Sequence, residues 1–138
     1  RTLRYKPEGE EFVITNGNKR FTRAIYGTNT GFRFETSDFP EFGLYMPNLG
    51  GSVYMAISTP SNITWIKDME FIESRFKSGQ RTYIVRDRRH LGNGSLTIDA
   101  VAMSDGDGLV VRYKAKDIPA GTKILWIYGG SQQSEIRT

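Results

Sequence analysis

Acids, arginines and aromatic rings are the side chains whose spacing allows chemistry in this sequence. Asp38 and Glu41 flank Phe39-Pro40, Glu10 and Glu11 are adjacent, and Glu70 and Glu73 lie three apart. Two carboxyls set across a sugar bond are what glycoside hydrolysis needs, one to protonate the leaving oxygen and one to attack or to activate water. With 15 acidic residues available, such pairs also arise by chance, and solvated charge explains each of them as well. No acid is assigned as catalytic.

The segment RDRRHLGNG, residues 86–94, is the densest basic run. Arg86, Arg88, Arg89 and His90 suit a phosphate, a sulfate or a uronate carboxylate, because guanidinium presents a rigid fork of N–H donors. The plain alternative is a solvated loop with Arg86 paired to Asp87 or Glu73. Sugars also stack their C–H faces on aromatic rings, with polar groups at the ring edge. Tyr45, Tyr54, Trp65, Trp126 and Tyr128 are the rings to consider. Trp126 falls inside the uniformly apolar run KILWIY and is expected in the core. Trp65 sits in a polar connection and is the freer ring. Tyr45, Tyr54, Trp65, Arg88 and Arg89 are therefore the carbohydrate-contact candidates.

Other chemistries are excluded by composition. There is no cysteine, hence no disulfide scaffold, thiol nucleophile or thiolate metal site. A single histidine, His90, rules out a His-rich metal centre within the chain. That lone histidine beside three arginines makes a poor base for a serine. Neither G-x-x-x-x-G-K-[ST] nor a G-x-G-x-x-G opening a helix is present, so no cofactor is expected. The net charge of +4 permits a polyanion partner, but no nucleic-acid recognition motif accompanies it. No apolar run approaches the roughly 20 residues of a membrane helix. RTLRYKPEGE holds no apolar signal segment. NIT at 62–64 and NGS at 93–95 match the N-glycosylation acceptor pattern, which carries no such meaning in a bacterial protein.

The elements that must position these residues read as strands. In LVVRYKAK, Leu109, Val111, Tyr113 and Ala115 share one face, and Val110, Arg112, Lys114 and Lys116 the other. SLTIDAVAM alternates likewise, and SDGDG at 104–108 joins the two as a hairpin. EFVIT and KRFTRAIY flank Asn16-Gly17, which predicts a second hairpin. Phe32 and Phe34, then Val53, Met55 and Ile57, then Tyr83 and Val85 mark further half-buried strands. KILWIY, residues 123–128, is apolar on both faces and predicts a central strand. Residues 65–69 predict a short helical turn before two strands joined by KSGQ. DFPEFGLYMPNLGG, residues 38–51, predicts a strand over 42–46 between two turns, with exposed apolar surface at 38–49. Roughly eight to ten short strands with frequent turns predict one domain, 1–138, an antiparallel all-β sandwich or barrel.

The run LRYKPEGEEFVITNGNKRFTRAIYGTNTGFRFETSDFPEFGLYMPNLGG resembles the family of domain of unknown function 4450, from large exported proteins of gut Bacteroidetes. RTYIVRD, LGNGSLTIDAVAM and IPAGTKILWIYGG extend the likeness over nearly the whole chain, with the 21–51 block most specific. The resemblance implies the supersandwich-like N-terminal domain of a glycoside-hydrolase-like protein, in the periplasm or at the cell surface. It implies that the catalytic acids belong to a helical module, which would be this domain's partner. The other partner considered is a glycan, bound directly by a carbohydrate-binding module.

Overall fold

A computed structural model describes residues 4–27, 31–47, 49–104 and 106–132. Twelve strands make two antiparallel sheets of six that pack as a sandwich. They are β1 (Lys6–Glu8), β2 (Glu11–Thr15), β3 (Arg23–Tyr26), β4 (Arg33–Thr36), β5 (Phe42–Met46) and β6 (Leu49–Thr59), then β7 (Asn62–Trp65), β8 (Phe71–Lys77), β9 (Gln80–Arg86), β10 (Ser95–Ala102), β11 (Leu109–Lys116) and β12 (Lys123–Gln132). The first sheet runs β1-β2-β8-β9-β10-β11. The second runs β12-β6-β5-β4-β3, with β7 added to β6 beside the end of β5. A 3₁₀ turn at Ile66–Asp68 and the short helix α1 (Arg88–Leu91) are the only helical pieces among the described residues.

Period-two alternation explains most of this. Phe32 and Phe34, Met55 and Ile57, Tyr83 and Val85, and Leu96, Ile98 and Ala100 all point between the sheets and are buried. Each large side chain so enclosed contributes about 1.5–3 kcal/mol relative to exposure. Rings bridge the layers: Phe34 meets Phe42 edge-on at 6.3 Å, and Phe42 meets Tyr83 of the other sheet at 6.1 Å. The β10–β11 hairpin forms as the alternation predicts, with Met103 N–H bonded to Gly108 C=O across the turn.

Three expectations are corrected. Asn16-Gly17 does not turn a hairpin, because β2 pairs with β8 and β3 with β4. The Asn16 side chain and backbone bond the Ile72 backbone instead, carrying β2's ladder one step further before the chain crosses to the other sheet. KILWIY is not central: β12 is the outermost strand of its sheet. Its apolar character on both faces answers to uncovered surface, not to two covering layers. Residues 38–47 are not an exposed patch either, and the rest of the 38–49 expectation lies outside the described side chains. Within 38–47 only Tyr45 and Pro47 are exposed, and residues 38–43 are buried.

Candidate functional site

The acids at residues 38 and 41 are enclosed, so they cannot meet a substrate. Asp38 has no solvent-exposed surface. Its carboxylate accepts from the Arg4 guanidinium, the Tyr5 hydroxyl and, at 2.9 Å, the Lys19 backbone N–H. Arg81, on β9 of the opposite sheet, is also fully buried and lies 3.6 Å from Asp38. It donates at 2.7 Å to the Ser37 carbonyl, which also accepts from the Tyr83 hydroxyl at 2.7 Å. Arg81 Nε and Nη1 have no hydrogen-bond partner among the described residues. The guanidinium lies against the Tyr5 ring (5.2 Å) and the Tyr83 ring (5.7 Å), whose faces partly replace water. Burial pushes both phenols above their ordinary pKa, and for Tyr5 the Asp38 bond adds to it. The network ties one sheet to the other.

Glu41 is the second buried acid, with Arg20 Nε 3.0 Å from Oε2. Burial raises its carboxyl above the ordinary range, against the pull of Arg20 and, less, of Lys67. A raised native pKa means that the folded state binds the proton more tightly. Glu41 therefore contributes most stability at low pH, and that contribution is lost as pH rises through its native value. Glu41→Gln is expected to gain on the wild type as pH climbs from about 4 to 7. Urea unfolding at several pH values checks this; a difference that is flat or shrinks with pH contradicts it.

His90 does acquire two partners. Its Nδ1 is 3.0 Å from Asp87 Oδ1 and its Nε2 is 2.8 Å from Thr64 Oγ1. Thr64 pairs with Ile57, so its side chain is on the core side of the sheet, and His90 is itself buried. The chain of bonds braces β7 against α1 and offers no opening to a substrate. Asp87 caps α1 and accepts from the Glu70 and His90 N–H groups. Burial alone would raise its carboxyl; these donors outweigh that and hold it below the ordinary range. Among the described residues no grouping of His, Cys, Asp and Glu could hold a metal ion.

The predicted contact residues fall in two places. Tyr45 opposes Gly50 and Tyr54 opposes Ile127, both on the outer face of the second sheet. Trp65 opposes Ala56 on that same face, 42% exposed and edge-on to Tyr54 at 6.2 Å. Tyr45 is covered on one side by the Arg33 guanidinium at 4.9 Å. Arg88 and Arg89 are exposed on α1. Arg88 joins Glu70, Phe71, Arg86, Asp87 and Asn93 around a cleft of about 440 Å³.

Trp126 is the ring that the sequence misplaces: it is 43% exposed, not in the core. The edge strands β11 and β12 lie side by side across the two sheets, with Tyr113 and Trp126 rings 6.2 Å apart. Tyr113 continues the inward face of Leu109 and Val111, and Trp126 and Tyr128 continue that of Ile124. Nothing among the described residues covers them, so Tyr113 is 52% and Tyr128 66% exposed. Ile127 and Val110 add exposed apolar surface on the outer faces.

The model of one protein family, Domain of unknown function (DUF4450), matches residues 46–136, which include all of β6 to β12. The chain belongs to that family. No curated protein and no solved structure matches it. The DUF4450 match takes in the β11–β12 side, the cleft and the Tyr54–Trp65 pair. It leaves out most of the 21–51 block, which the sequence comparison took as the most specific part, and with it the Asp38 corner. No helix among the described residues is long and apolar enough to cross a membrane.

Proposed function

We propose that this chain is a non-catalytic β-sandwich domain of an exported, glycoside-hydrolase-like protein acting in glycan breakdown. It packs against a helical catalytic module, at the periplasm or cell surface. The observation that carries the reading is the uncovered inward face of β11 and β12, where Tyr113, Trp126 and Tyr128 remain in solvent. A contiguous apolar face of this kind marks an interface. Lys114, Lys116 and Lys123 rim it and have no ion pair among the described residues, which suits a partner with an acidic border.

Trp65→Phe leaves Trp126 as the sole tryptophan and reports directly on that face. Its fluorescence is expected to shift to the blue, and acrylamide quenching to fall severalfold, when the helical module is present in trans or in the same polypeptide. Trp126 remaining equally quenchable with the module bound or joined rejects docking at this side.

A second reading, direct glycan binding, draws on the Tyr54–Trp65 pair on the outer face of the second sheet, where Trp65 is exposed and Tyr54 half-buried. There Trp65→Ala is expected to lower affinity for neutral oligosaccharides about tenfold or more in calorimetry, as loss of a stacking ring does. Unchanged affinity removes the pair from consideration.

A further inference from the structure

We propose that the cleft between the start of β8 and the α1 turn binds a uronic-acid residue of a glycan, taking its carboxylate on Arg86 and Arg88. The inference rests on the glycan reading for its sugar but not on the docking reading, since the β11–β12 side is not part of this cleft.

The cleft holds about 440 Å³, within the range of sites for small ligands. Two guanidiniums line it, and neither has a carboxylate partner among the described residues. Arg86 lies on the Phe71 ring, 5.6 Å from its centroid, which holds the fork in place and leaves its N–H edge for a ligand. The neighbouring Asp87 forms no ion pair with either of them among the described residues. Its two oxygens are already taken by the Glu70 N–H, the His90 N–H and the His90 ring.

Glu70 decides the class of ligand. Among the described residues its carboxylate accepts only the Arg88 N–H, at 3.3 Å, and it stands in the cleft with the arginines. A bare phosphate or sulfate brings only negatively charged acceptor oxygens to it. A sugar acid also brings ring hydroxyls, which donate to Glu70 while its carboxylate meets the guanidiniums. Asn93 can donate and accept at the same rim. The site thus offers cation, acceptor and amide together, which matches a hydroxylated carboxylate.

Trigalacturonate, its methyl ester, a sulfated disaccharide and a neutral cellotriose are the probes, titrated calorimetrically into the chain at low salt. Trigalacturonate is expected to bind, and to lose about tenfold or more on methyl esterification, in Arg88→Gln and in Arg86→Gln. Raised salt should weaken it. Arg88→Gln, on an exposed side chain, keeps the test valid if Arg86→Gln disturbs Phe71, and Lys77→Gln, at the opposite end of β8 from Phe71, should change nothing. Binding of the sulfated sugar alone, lost in the same variants, identifies sulfate as the oxyanion and overturns the uronate. Binding of cellotriose with no preference for trigalacturonate overturns the proposal and leaves the glycan reading standing. Binding of no sugar overturns both.

Discussion

Asp38→Asn is expected to cost about 3–5 kcal/mol of folding stability, the usual loss when one partner of a buried ion pair is removed. Arg81 is held between the sheets by the Ser37 carbonyl, two aromatic faces and the charge of Asp38. Taking away that charge leaves a guanidinium with no solvent access and no anion. The new amide also turns one N–H₂ toward donors, since Arg4, Tyr5 and Lys19 all donate to this carboxylate. Removing both charges is a different matter. Asp38→Asn combined with Arg81→Met takes the stranded cation away and fills its volume, so the double variant should recover most of the loss. Urea unfolding at pH 7 reads the wild type, both single variants and the double variant. An Asp38→Asn loss under about 1 kcal/mol, or a double variant whose cost is simply the sum, would show that the pair is not what joins the sheets.

The ion pair also shows where the sequence was legible. Strands with one face in the core and one in water announce themselves, as β4, β9 and β10 do through Phe32-Phe34, Tyr83-Val85 and Leu96-Ile98-Ala100. Arg81 shares parity with Tyr83 and Val85, so the alternation itself places it inside; residue type alone argues the other way. Twelve strands form where roughly eight to ten were expected, partly because β1 and β7, of three and four residues, are too short for a period to be visible. β12 misled for the opposite reason. A strand apolar on both faces has no alternation, and the same residues fit a centre covered twice or an edge not covered at all. Asn16-Gly17 is equally silent, since its crossover depends on Ile72, 56 residues away.

The candidate sites divide along the same line. Trp65 was legible as a free ring because it lies in a polar connection; Tyr54 was legible as outward-facing because it alternates against Val53 and Met55, but it is half-buried beside Trp65. The cleft was only half legible. Arg86 and Arg88 stand out as charge, but Glu70 and Phe71 reach them through the β8–β9 hairpin, whose register puts Phe71 opposite Arg86. That pairing is non-local packing, which no window of sequence contains. Tyr113 and Trp126 come from the edge strands of different sheets, so only the finished sandwich sets their rings 6.2 Å apart.

Gly17→Ala is expected to cost about 2–3 kcal/mol, near the top of the range for overpacking by one methyl. A Cβ at this position would lie 2.5 Å from Asp38 Oδ2, 2.6 Å from Cγ and 2.7 Å from Cβ. Something must move, and Asp38 has little room, because three donors from Arg4, Tyr5 and Lys19 fix its carboxylate. The methyl therefore acts by displacing the anion that Arg81 needs. It follows that the two lesions are not independent. In an Asp38→Asn, Arg81→Met background the charge and one of the two acceptor oxygens are already gone, so the side chain is held less firmly, and Gly17→Ala should cost clearly less than in the wild type. Gly129→Ala supplies the control, since a Cβ there meets nothing within 4 Å and should change stability by no more than about 0.5 kcal/mol. Thermal and urea unfolding of the wild type, the two glycine variants, and the double variant with and without Gly17→Ala separate the cases. A full 2–3 kcal/mol cost persisting in the double-variant background would place the clash on the backbone crossover from β2 to β3, and not on the buried ion pair. The same crossover carries the chain from the first sheet to the second, so either outcome locates what fixes the two layers against each other.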